Sequence, residues 1–246
     1  MKNYFADLHL HTVLSPCADL LMTPKNIIDR ALEVGLDLIA ITDHNSAENV
    51  EVTMELAVDT PLTILPGMEV ETKEEVHLLC LFEKLEQVLS WQEVVYASLP
   101  QKKNNEEVFG PQILTNLADE YVKKVEKMLS AATEFSVEEV VAEVSERGGV
   151  VIPSHVDRGH ASLLSNLGFI PPNLEIDAVE ITPNITVKEA KEKFAQLSDY
   201  QLITNSDAHQ LEAIKKSLKL KLPRVDFSEL KLALKEEKDR EIIFIK

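Results

Sequence analysis

The sequence is poor in cysteine, in positive charge and in aromatic residues, and each scarcity argues against a class of protein. Its two cysteines, Cys17 and Cys80, do not imply the disulfide framework of a small secreted domain. The chain has 25 Lys and Arg residues against 42 Asp and Glu residues, and the net charge of −17 argues against an extended nucleic-acid surface. Aromatic residues make up only 5% of the chain, with Trp91 as the single tryptophan, so no stacking platform for a nucleic-acid strand is evident.

Long apolar runs are also missing. No window holds 18 or more uncharged apolar residues, so we expect no membrane span. The first ten residues, MKNYFADLHL, lack the apolar core and the small-residue cleavage site of a signal peptide. These features predict a cytoplasmic protein, and we expect the 246 residues to form a single domain over 1–246.

Apolar, strand-like runs alternate along the chain with amphipathic helical patterns. Thr23 can cap a helix that begins at Pro24 and that Gly35 ends, and another helix is expected over roughly 46–58. Capping boxes mark two later helices, Ser136 with Glu139 before a helix that runs to Gly148, and Thr186 with Glu189.

Several of the predicted strands carry polar residues at their ends, as in "YFADLHLH", "LDLIAITDH" and "GVVIPSH". Continuous apolar strands between amphipathic helices predict a parallel sheet that is covered on both faces. An open doubly wound sheet and a closed barrel both fit this alternation. We favour an α/β fold of the TIM-barrel-like kind, because all strand ends of a β/α barrel meet at one rim and would bring these polar residues together.

Residues 84–135 differ in character from the rest of the chain. The segment is polar, mixed and without a clear period, and it contains the stretch "SLPQKKNNEEVFGPQ". We interpret it as an insertion over the barrel mouth, partly helical near 84–98 and 115–132. It is either a lid or a surface excursion without a role in chemistry.

Six of the seven histidines lie in short polar clusters near strand ends, together with carboxylates. His9 and His11 are two residues apart and therefore point to the same face of a strand. The remaining candidates are His44, Glu69, His77, His155, Asp207 and His209. Mixed imidazole and carboxylate ligands suit zinc, manganese or iron, and their number exceeds what one tetrahedral ion needs. The sequence therefore predicts two or three divalent metal ions.

These residues resemble the motifs of the PHP (polymerase and histidinol phosphatase) superfamily of metal-dependent phosphoesterases. "DLHLHT" is similar to its first motif, "ITDHN" to its second, "HVD" to its third and "SDAH" to its fourth. Glu69 and His77 occupy the positions of the bridging glutamate and the next histidine. The resemblance covers most of the chain outside the insertion, and it implies a distorted (β/α)7 barrel with a trinuclear site at its C-terminal rim.

The resemblance also implies how the ligands are shared among the ions. One ion would be held by His9, His11, Glu69 and Asp207. A second would use His44, His209 and a ligand from residues 15–19, and a third would use Glu69, His77 and His155. Asp7 and Asp43 are expected to cap or to orient metal-bound histidines, and Glu180 is not predicted to be a ligand.

The sequence departs from the family pattern in "SPCADLLMTP", where both Cys17 and Asp19 could supply the ligand from residues 15–19. We favour Asp19, because a hard carboxylate matches the other ligands and Cys17 could then be a packing thiol. A Cys17 ligand would favour zinc instead. Cys80, in the middle of a predicted strand, is expected in the core.

Arg158 and His160 follow His155 closely in "HVDRGH". Because arginine forms bidentate pairs with phosphate oxygens, we expect Arg158 to contact a substrate phosphate and His160 to lie at the mouth of the site. The alternative for Arg158 is a surface ion pair with one of the many acids.

By resemblance, the predicted function is hydrolysis of a small phosphate ester, as in histidinol phosphatase, or of a nucleotide-type ester. A metal-bound hydroxide would attack the phosphorus, with Arg158, Asp207 and His209 as the catalytic residues. The alternatives are an exonuclease-type phosphodiesterase, a non-catalytic or regulatory metal-binding module, and a C–N hydrolase on a similar barrel. The last commonly needs a carboxylated lysine, and the strand ends contain no lysine candidate.

Overall fold

The computed structural model describes residues 1–245, which form an α/β fold around one curled sheet. The strands are β1 Lys2–Leu10, β2 Leu38–Ile41, β3 Thr63–Glu71, β4 His77–Leu81, β5 Ile113–Thr115, β6 Tyr121–Lys124, β7 Val150–Pro153, β8 Ala178–Glu180, β9 Gln201–Ile203, β10 Leu218–Leu222 and β11 Glu241–Phe244. The α-helices are α1 Pro24–Val34, α2 Val50–Ala57, α3 Leu85–Ser98, α4 Glu106–Phe109, α5 Val137–Glu146, α6 Leu163–Asn166, α7 Val187–Lys193 and α8 Phe227–Leu234. Within these residues, no helix has both the length and the apolar character needed to cross a bilayer.

The capping signals of the sequence are confirmed. The Thr23 hydroxyl accepts a hydrogen bond from the Asn26 amide at the start of α1, and Gly35 ends that helix in the left-handed conformation. Both capping boxes, at α5 and α7, are formed. Helix α2 begins at Val50 rather than near residue 46, and the Val50 amide donates to the Ala47 carbonyl oxygen at 3.0 Å in a turn that precedes the helix.

The main sheet has seven strands in the order β11-β10-β1-β2-β3-β4-β7. Strands β1, β2 and β3 are parallel, whereas β4 is antiparallel to both of its neighbours and β10 is antiparallel to β1. The prediction of a purely parallel sheet is therefore wrong. Only residues 72–76 join β3 to β4, which is too short for a crossover and forces a hairpin.

The sheet curls around an interior core, but its ladders do not close into one continuous barrel. One buried cluster contains residues of β1, β7, β8 and β9 together with apolar residues of α8. The members of the cluster include Ala6, Leu8, Ile152, Ala178, Ile203 and Leu230. Strands β8 and β9 pair only with each other, and a single bridge from Leu10 to Ala208 joins the chain after β9 to β1. The predicted α/β class is thus confirmed, while a complete (β/α)7 barrel is not seen in residues 1–245.

The segment expected to be an insertion has two parts. Helix α3 buries Val88, Trp91 and Val95 in the outer core, whereas residues 99–132 share a small core with Leu14. The helix expected near 115–132 is wrong, because β5 and β6 form a hairpin there. The Asn116 side chain accepts hydrogen bonds from the Ala118 and Glu120 amides and so fixes a turn where a helix would have to continue.

Candidate metal centre

The predicted ligands come from separate strands and meet at one end of the sheet. Most of them follow the C-terminal ends of β1, β2, β7 and β9, while Glu69 lies within β3. His77 opens the antiparallel strand β4 and pairs with Glu71 near the end of β3, so it reaches the same rim. The structure brings together His9, His11, His44, Glu69, His77, His155, Asp207 and His209.

Glu69 lies at the centre of this cluster, and its two oxygens face different histidines. Oε1 is 3.2 Å from both His9 Nε2 and His77 Nδ1, and 3.6 Å from His155 Nε2. Oε2 is 3.1 Å from His44 Nδ1 and 3.5 Å from His11 Nε2. This division is the geometry that a carboxylate bridging two cations requires.

Several polar atoms of the cluster are buried without a hydrogen-bond partner among residues 1–245. They are His44 Nδ1, His77 Nδ1, Glu69 Oε1 and both ring nitrogens of His155. His44 Nδ1 lies close to Glu69 Oε2, but the two atoms are not aligned for a hydrogen bond. Each unpaired buried polar group costs roughly 1–3 kcal/mol, so a concentration of them at one point fits ligands that bind metal ions.

Three histidine rings are oriented by hydrogen bonds to Nδ1, which leave Nε2 free as a ligand atom. His9 Nδ1 is 3.1 Å from Glu180 Oε2, and His209 Nδ1 is 2.9 Å from the Asp207 carbonyl oxygen. His11 Nδ1 is 2.9 Å from the Ser15 hydroxyl. Metal-binding histidines are usually held in this way, because a second partner fixes the tautomer.

Carboxylates support these rings, but not always the carboxylates that the sequence suggested. Asp43 accepts hydrogen bonds from Ser15 Oγ at 2.6 Å and from Thr12 Oγ1, so it orients His11 through Ser15. Asp7 instead accepts from the Ser206 amide and does not touch a ligand ring. Burial raises the pKa of Asp7 to about 6, although its hydrogen bonds with Ser206 oppose the shift.

Glu180 orients ligands from several elements, a role that sequence reasoning missed. Its carboxylate accepts hydrogen bonds from His9 Nδ1, from the His155 amide at 3.2 Å and from Asn205 Nδ2 at 2.8 Å. Asn205 in turn accepts from the Leu8 amide at 2.9 Å and joins β1 to the chain after β9. The signal was present, since Glu180 ends an apolar strand just as the ligands do.

The charges of the cluster stabilise one another. Burial raises the pKa of Glu69, but the charges of His77 and His9 outweigh burial and hold the pKa well below its usual range. The pKa of Asp207 is also far below its usual range, since His9 and His11 outweigh its burial. The cluster thus holds its carboxylates ionised, the form that binds cations.

Two candidate ligands lie on strained backbone. His155 has φ of 30° and Asp207 has φ of 50°, both in the left-handed region that non-glycine residues rarely adopt. Such conformations cost on the order of 1–3 kcal/mol and persist where surrounding contacts enforce them. Their position at the ends of β7 and β9 aims both side chains into the cluster.

The two candidates of the 15–19 segment have different surroundings. Both are exposed, but the Cys17 thiol lies on the side of His44 and His209, whereas Asp19 uses Oδ1 to accept from the Leu21 amide at 2.8 Å. Burial raises the pKa of the Cys17 thiol, but the two histidines outweigh burial and lower the pKa to about 6. Among residues 1–245, the Asp19 side chain makes no contact with the cluster. No contact therefore supports the preference for Asp19 as the ligand. Cys80 is buried in the core, as expected.

Arg158 lies at the cluster, whereas His160 does not reach it. Arg158 Nη2 donates to Asp207 Oδ2 at 2.5 Å, and both residues line a cleft of about 410 Å³ beside His155. The arginine is thus paired with an acid, as the alternative predicted, but that acid is a candidate ligand. His160 is exposed on the following loop, and its contact with a substrate stays a prediction.

Comparison with known proteins gives one family and several relatives. The family model of the PHP domain matches residues 7–152. The uncharacterised protein YqxK of Bacillus subtilis is 27% identical over 276 aligned positions, which cover 99% of this chain and 65% of that protein. The 5′-3′ exoribonuclease Rnm of Salmonella typhimurium is 34% identical over 80 residues, which cover 30% of this chain and 26% of Rnm.

A solved structure has the same fold. The lesion-specific endonuclease Q of Pyrococcus furiosus superimposes with a TM-score of 0.78 at 20% identity, over 98% of this chain and 58% of the endonuclease chain. A second structure with that name holds a 27-mer duplex with an abasic lesion at the active site. The present chain therefore spans less than two thirds of the length of each of these relatives.

Proposed function

The chain belongs to the PHP domain family, and from that premise we propose that it hydrolyses phosphate esters with the help of two or three bound divalent ions. The observation that carries the proposal is the division of the Glu69 carboxylate between two groups of histidines. The unpaired, buried nitrogens of His155 and His77 support it, because they are ligand atoms without protein partners among residues 1–245.

We assign the ligands to three positions. His9, His11, Glu69 and Asp207 would hold one ion. His44 and His209 would hold a second together with a residue of the 15–19 segment, and His77 and His155 would hold a third with Glu69. Three groups of candidate ligands have atoms within 4.8 Å of one another, namely His9, His11 and Glu69; His44, Glu69 and His77; and His11, His44 and His209. Imidazole with carboxylate suits zinc, manganese or iron.

Bound divalent ions supply Lewis acidity that activates a water molecule and neutralises charge on phosphoryl oxygens. The protein's own contribution is to hold the ligand atoms before the ions arrive. Glu180 and Ser15 fix the rings of His9 and His11, and the strained backbone of Asp207 aims its carboxylate inward. Such preorganisation leaves little rearrangement for the reaction itself.

Arg158 is the group that we propose for binding the phosphate. Its guanidinium uses Nη2 for Asp207 and has further N–H donors beside the cleft. An arginine held by a carboxylate keeps a fixed orientation, which suits it to bind a planar pair of phosphate oxygens.

His209 was predicted from the sequence both as a ligand and as a residue that moves a proton. Its Nδ1 is held by the Asp207 carbonyl oxygen and its Nε2 is assigned to the second ion, so in this proposal the ring has no nitrogen left to carry a proton and acts as a ligand. Asp207 is paired with Arg158, so its carboxylate is better placed to orient that guanidinium than to carry protons.

The substrate class has two candidates. A small phosphate ester is the first, because the net charge of −17 opposes long duplex binding. A nucleic-acid phosphodiester is the second, and the names of the exoribonuclease and of endonuclease Q favour it. A non-catalytic module is less favoured. Such a module would be expected to lack some of the ligands, whereas the predicted cluster is intact apart from Asp19.

The proposal is tested by turnover on a panel of substrates. Metal-stripped protein and protein reloaded with Mn²⁺, Zn²⁺ or Fe²⁺ would be assayed with p-nitrophenyl phosphate, bis-p-nitrophenyl phosphate, a 5′-phosphorylated RNA oligonucleotide and a duplex with an abasic lesion. We expect metal-dependent hydrolysis of at least one phosphoester, and the rank order assigns the class. Failure of every ester with every metal would overturn the enzyme proposal.

A further inference from the structure

Asp157, the residue before Arg158, ties two loops of the site together. Its Oδ1 accepts a hydrogen bond from the Thr182 amide at 2.7 Å, and its Oδ2 accepts one from the Thr182 hydroxyl at 2.6 Å. Asp157 follows β7 and Thr182 follows β8, so the two hydrogen bonds join the chain after one strand to the chain after the next. We term this pair of residues the Asp157–Thr182 clamp.

Other hydrogen bonds hold the chain on both sides of the clamp. Before it, the Val156 amide donates to the Glu180 carbonyl oxygen at 2.8 Å. After it, the Arg158 carbonyl oxygen accepts from Ser162 Oγ at 2.8 Å, and the Arg158 amide donates to the His155 carbonyl oxygen at 2.9 Å. The backbone of Arg158 is therefore fixed from both directions.

The clamp also forms part of the cleft beside the metal centre. Asp157 and Thr182 line this cleft of about 410 Å³ together with Arg158, and Asn184 of the loop after β8 lines it too. Among residues 1–245, the Arg158 guanidinium pairs with the Asp207 carboxylate and not with the neighbouring Asp157. Because both Asp157 oxygens bind Thr182, the influence of Asp157 on the guanidinium passes through the backbone.

We propose that Asp157 is a positioning residue for Arg158. By holding the loop after β7 to the loop after β8, it keeps the guanidinium beside Asp207 and directed at the cleft, where a phosphate would lie. The inference rests on the phosphate-binding role of Arg158 in the proposed function. Ordering a long side chain costs conformational entropy on binding, and a backbone that is already fixed at the preceding residue reduces that cost.

Two substitutions of Asp157 separate its hydrogen bonds from its charge. Asp157→Ala removes both hydrogen bonds and should weaken binding of inorganic phosphate to the metal-reloaded protein by about five- to thirtyfold. Asp157→Asn should restore most of the affinity, because the amide oxygen can accept from the Thr182 amide and the amide nitrogen can donate to the Thr182 hydroxyl. If Asp157 acted by its negative charge alone, both variants would bind phosphate more tightly, and that result would overturn the proposal.

A double variant separates a role through Arg158 from a general structural role. If Asp157 acts through Arg158, Asp157→Ala combined with Arg158→Ala should bind phosphate no more weakly than Arg158→Ala by itself. Losses that multiply in the double variant would overturn the proposal. Asp37→Ala is the matched control and should bind phosphate normally, because Asp37 also accepts from a remote amide, that of Phe5 at 2.7 Å, but lies just before β2, at the end away from the ligands.

Thr182→Val keeps the test decisive if Asp157→Ala does not fold. It removes only the hydroxyl donor from a side chain of similar shape, and phosphate binding should weaken by about fivefold. Calorimetric titration with phosphate measures each affinity, and elemental analysis should show the same metal content in every variant. Unchanged phosphate affinity in folded Asp157→Ala or in Thr182→Val would overturn the proposal, as would a reloaded protein that binds no phosphate.

Phosphate binding and turnover distinguish the two proposals. Phosphate binding that depends on Asp157 and Arg158, without turnover of any ester, would overturn the proposed function and leave the positioning role standing. Metal-dependent turnover with the same kcat/KM in Asp157→Ala as in the unchanged protein would overturn only the positioning role.

Discussion

His9 Nε2 and His11 Nε2 lie 3.1 Å apart, although the Nδ1 atom of each ring already has a partner on its other side. With protons on both Nδ1 atoms, the two Nε2 lone pairs point at each other and at the oxygens of Glu69 and Asp207. A metal ion bound by both nitrogens, or a proton on His9 Nε2, would satisfy this arrangement. The raised pKa of His9, which Glu180 and Glu69 produce against the effect of burial, reflects the same negative surroundings.

Metal ions should accordingly stabilise the fold. Ions that bind only the folded chain raise its free energy of unfolding by about 2.7 kcal/mol at a concentration one hundred times the Kd. For a chain of this size each kcal/mol raises Tm by about 2–4 °C. Thermal unfolding of stripped and reloaded protein measures the effect. Identical midpoints at saturating metal would contradict a preformed centre.

Replacing Glu180 by glutamine should weaken metal binding without removing any ligand. The glutamine side chain has one acceptor oxygen and one donor group, so it cannot accept from His9, His155 and Asn205 together. Loss of such an orienting partner typically costs 10–100-fold in metal affinity, roughly 1.4–2.7 kcal/mol. Metal titration of Glu180→Gln, with the exposed Glu175→Gln as control, checks this expectation. Equal affinities for the two variants would remove Glu180 from the support of the site.

Replacing Arg158 by alanine should raise KM or lower kcat/KM for a phosphoester. Hydrogen bonds to charged groups contribute about 1.5–3 kcal/mol, so kcat/KM should fall by roughly ten- to one-hundredfold. Arg30→Ala is the matched control, since Arg30 pairs with Glu33 on the surface of α1. If the two variants have unchanged and equal kinetics, Arg158 serves only to pair with Asp207.

Gly110 should tolerate alanine much less well than Gly168. Both have positive φ, 93° and 80°, so alanine is strained at either position by roughly 1–2 kcal/mol. At Gly110 the added Cβ also meets the Pro16 carbonyl oxygen, whereas at Gly168 nothing lies within 4 Å. Urea unfolding should show the larger loss for Gly110→Ala, together with a drop in turnover. Equal losses in both variants would mean that residues 99–132 do not hold the loop of residues 12–22 in place.

The sequence predicted which polar side chains lie together better than it predicted the sheet. Spacing alone placed His9 and His11 on one face, and the same reasoning placed other ligands at strand ends. The antiparallel β4 was missed because apolar content does not report strand direction, although the short connection over 72–76 does. His77 reaches the cluster because β4 runs in this reversed direction.

Residues that act through other residues were the hardest to find. Glu180 and Ser15 have no motif of their own, since their roles depend on which ring lies opposite them in the fold. The choice between Cys17 and Asp19 also depended on where the loop turns, which local sequence does not fix. The hairpin of β5 and β6 was missed because the Asn116 turn outweighs the helical character of its neighbours.

The central claim is that the cluster around Glu69 is a multinuclear metal centre that hydrolyses phosphoesters. Its most direct measurement is the metal content per chain, by elemental analysis, alongside phosphoester turnover for Glu69→Gln and for the exposed control Glu55→Gln. The account predicts two or three ions and full turnover in the control, with at least one ion lost and turnover reduced by about 100-fold or more in Glu69→Gln. Unchanged metal content and turnover in Glu69→Gln would contradict the account.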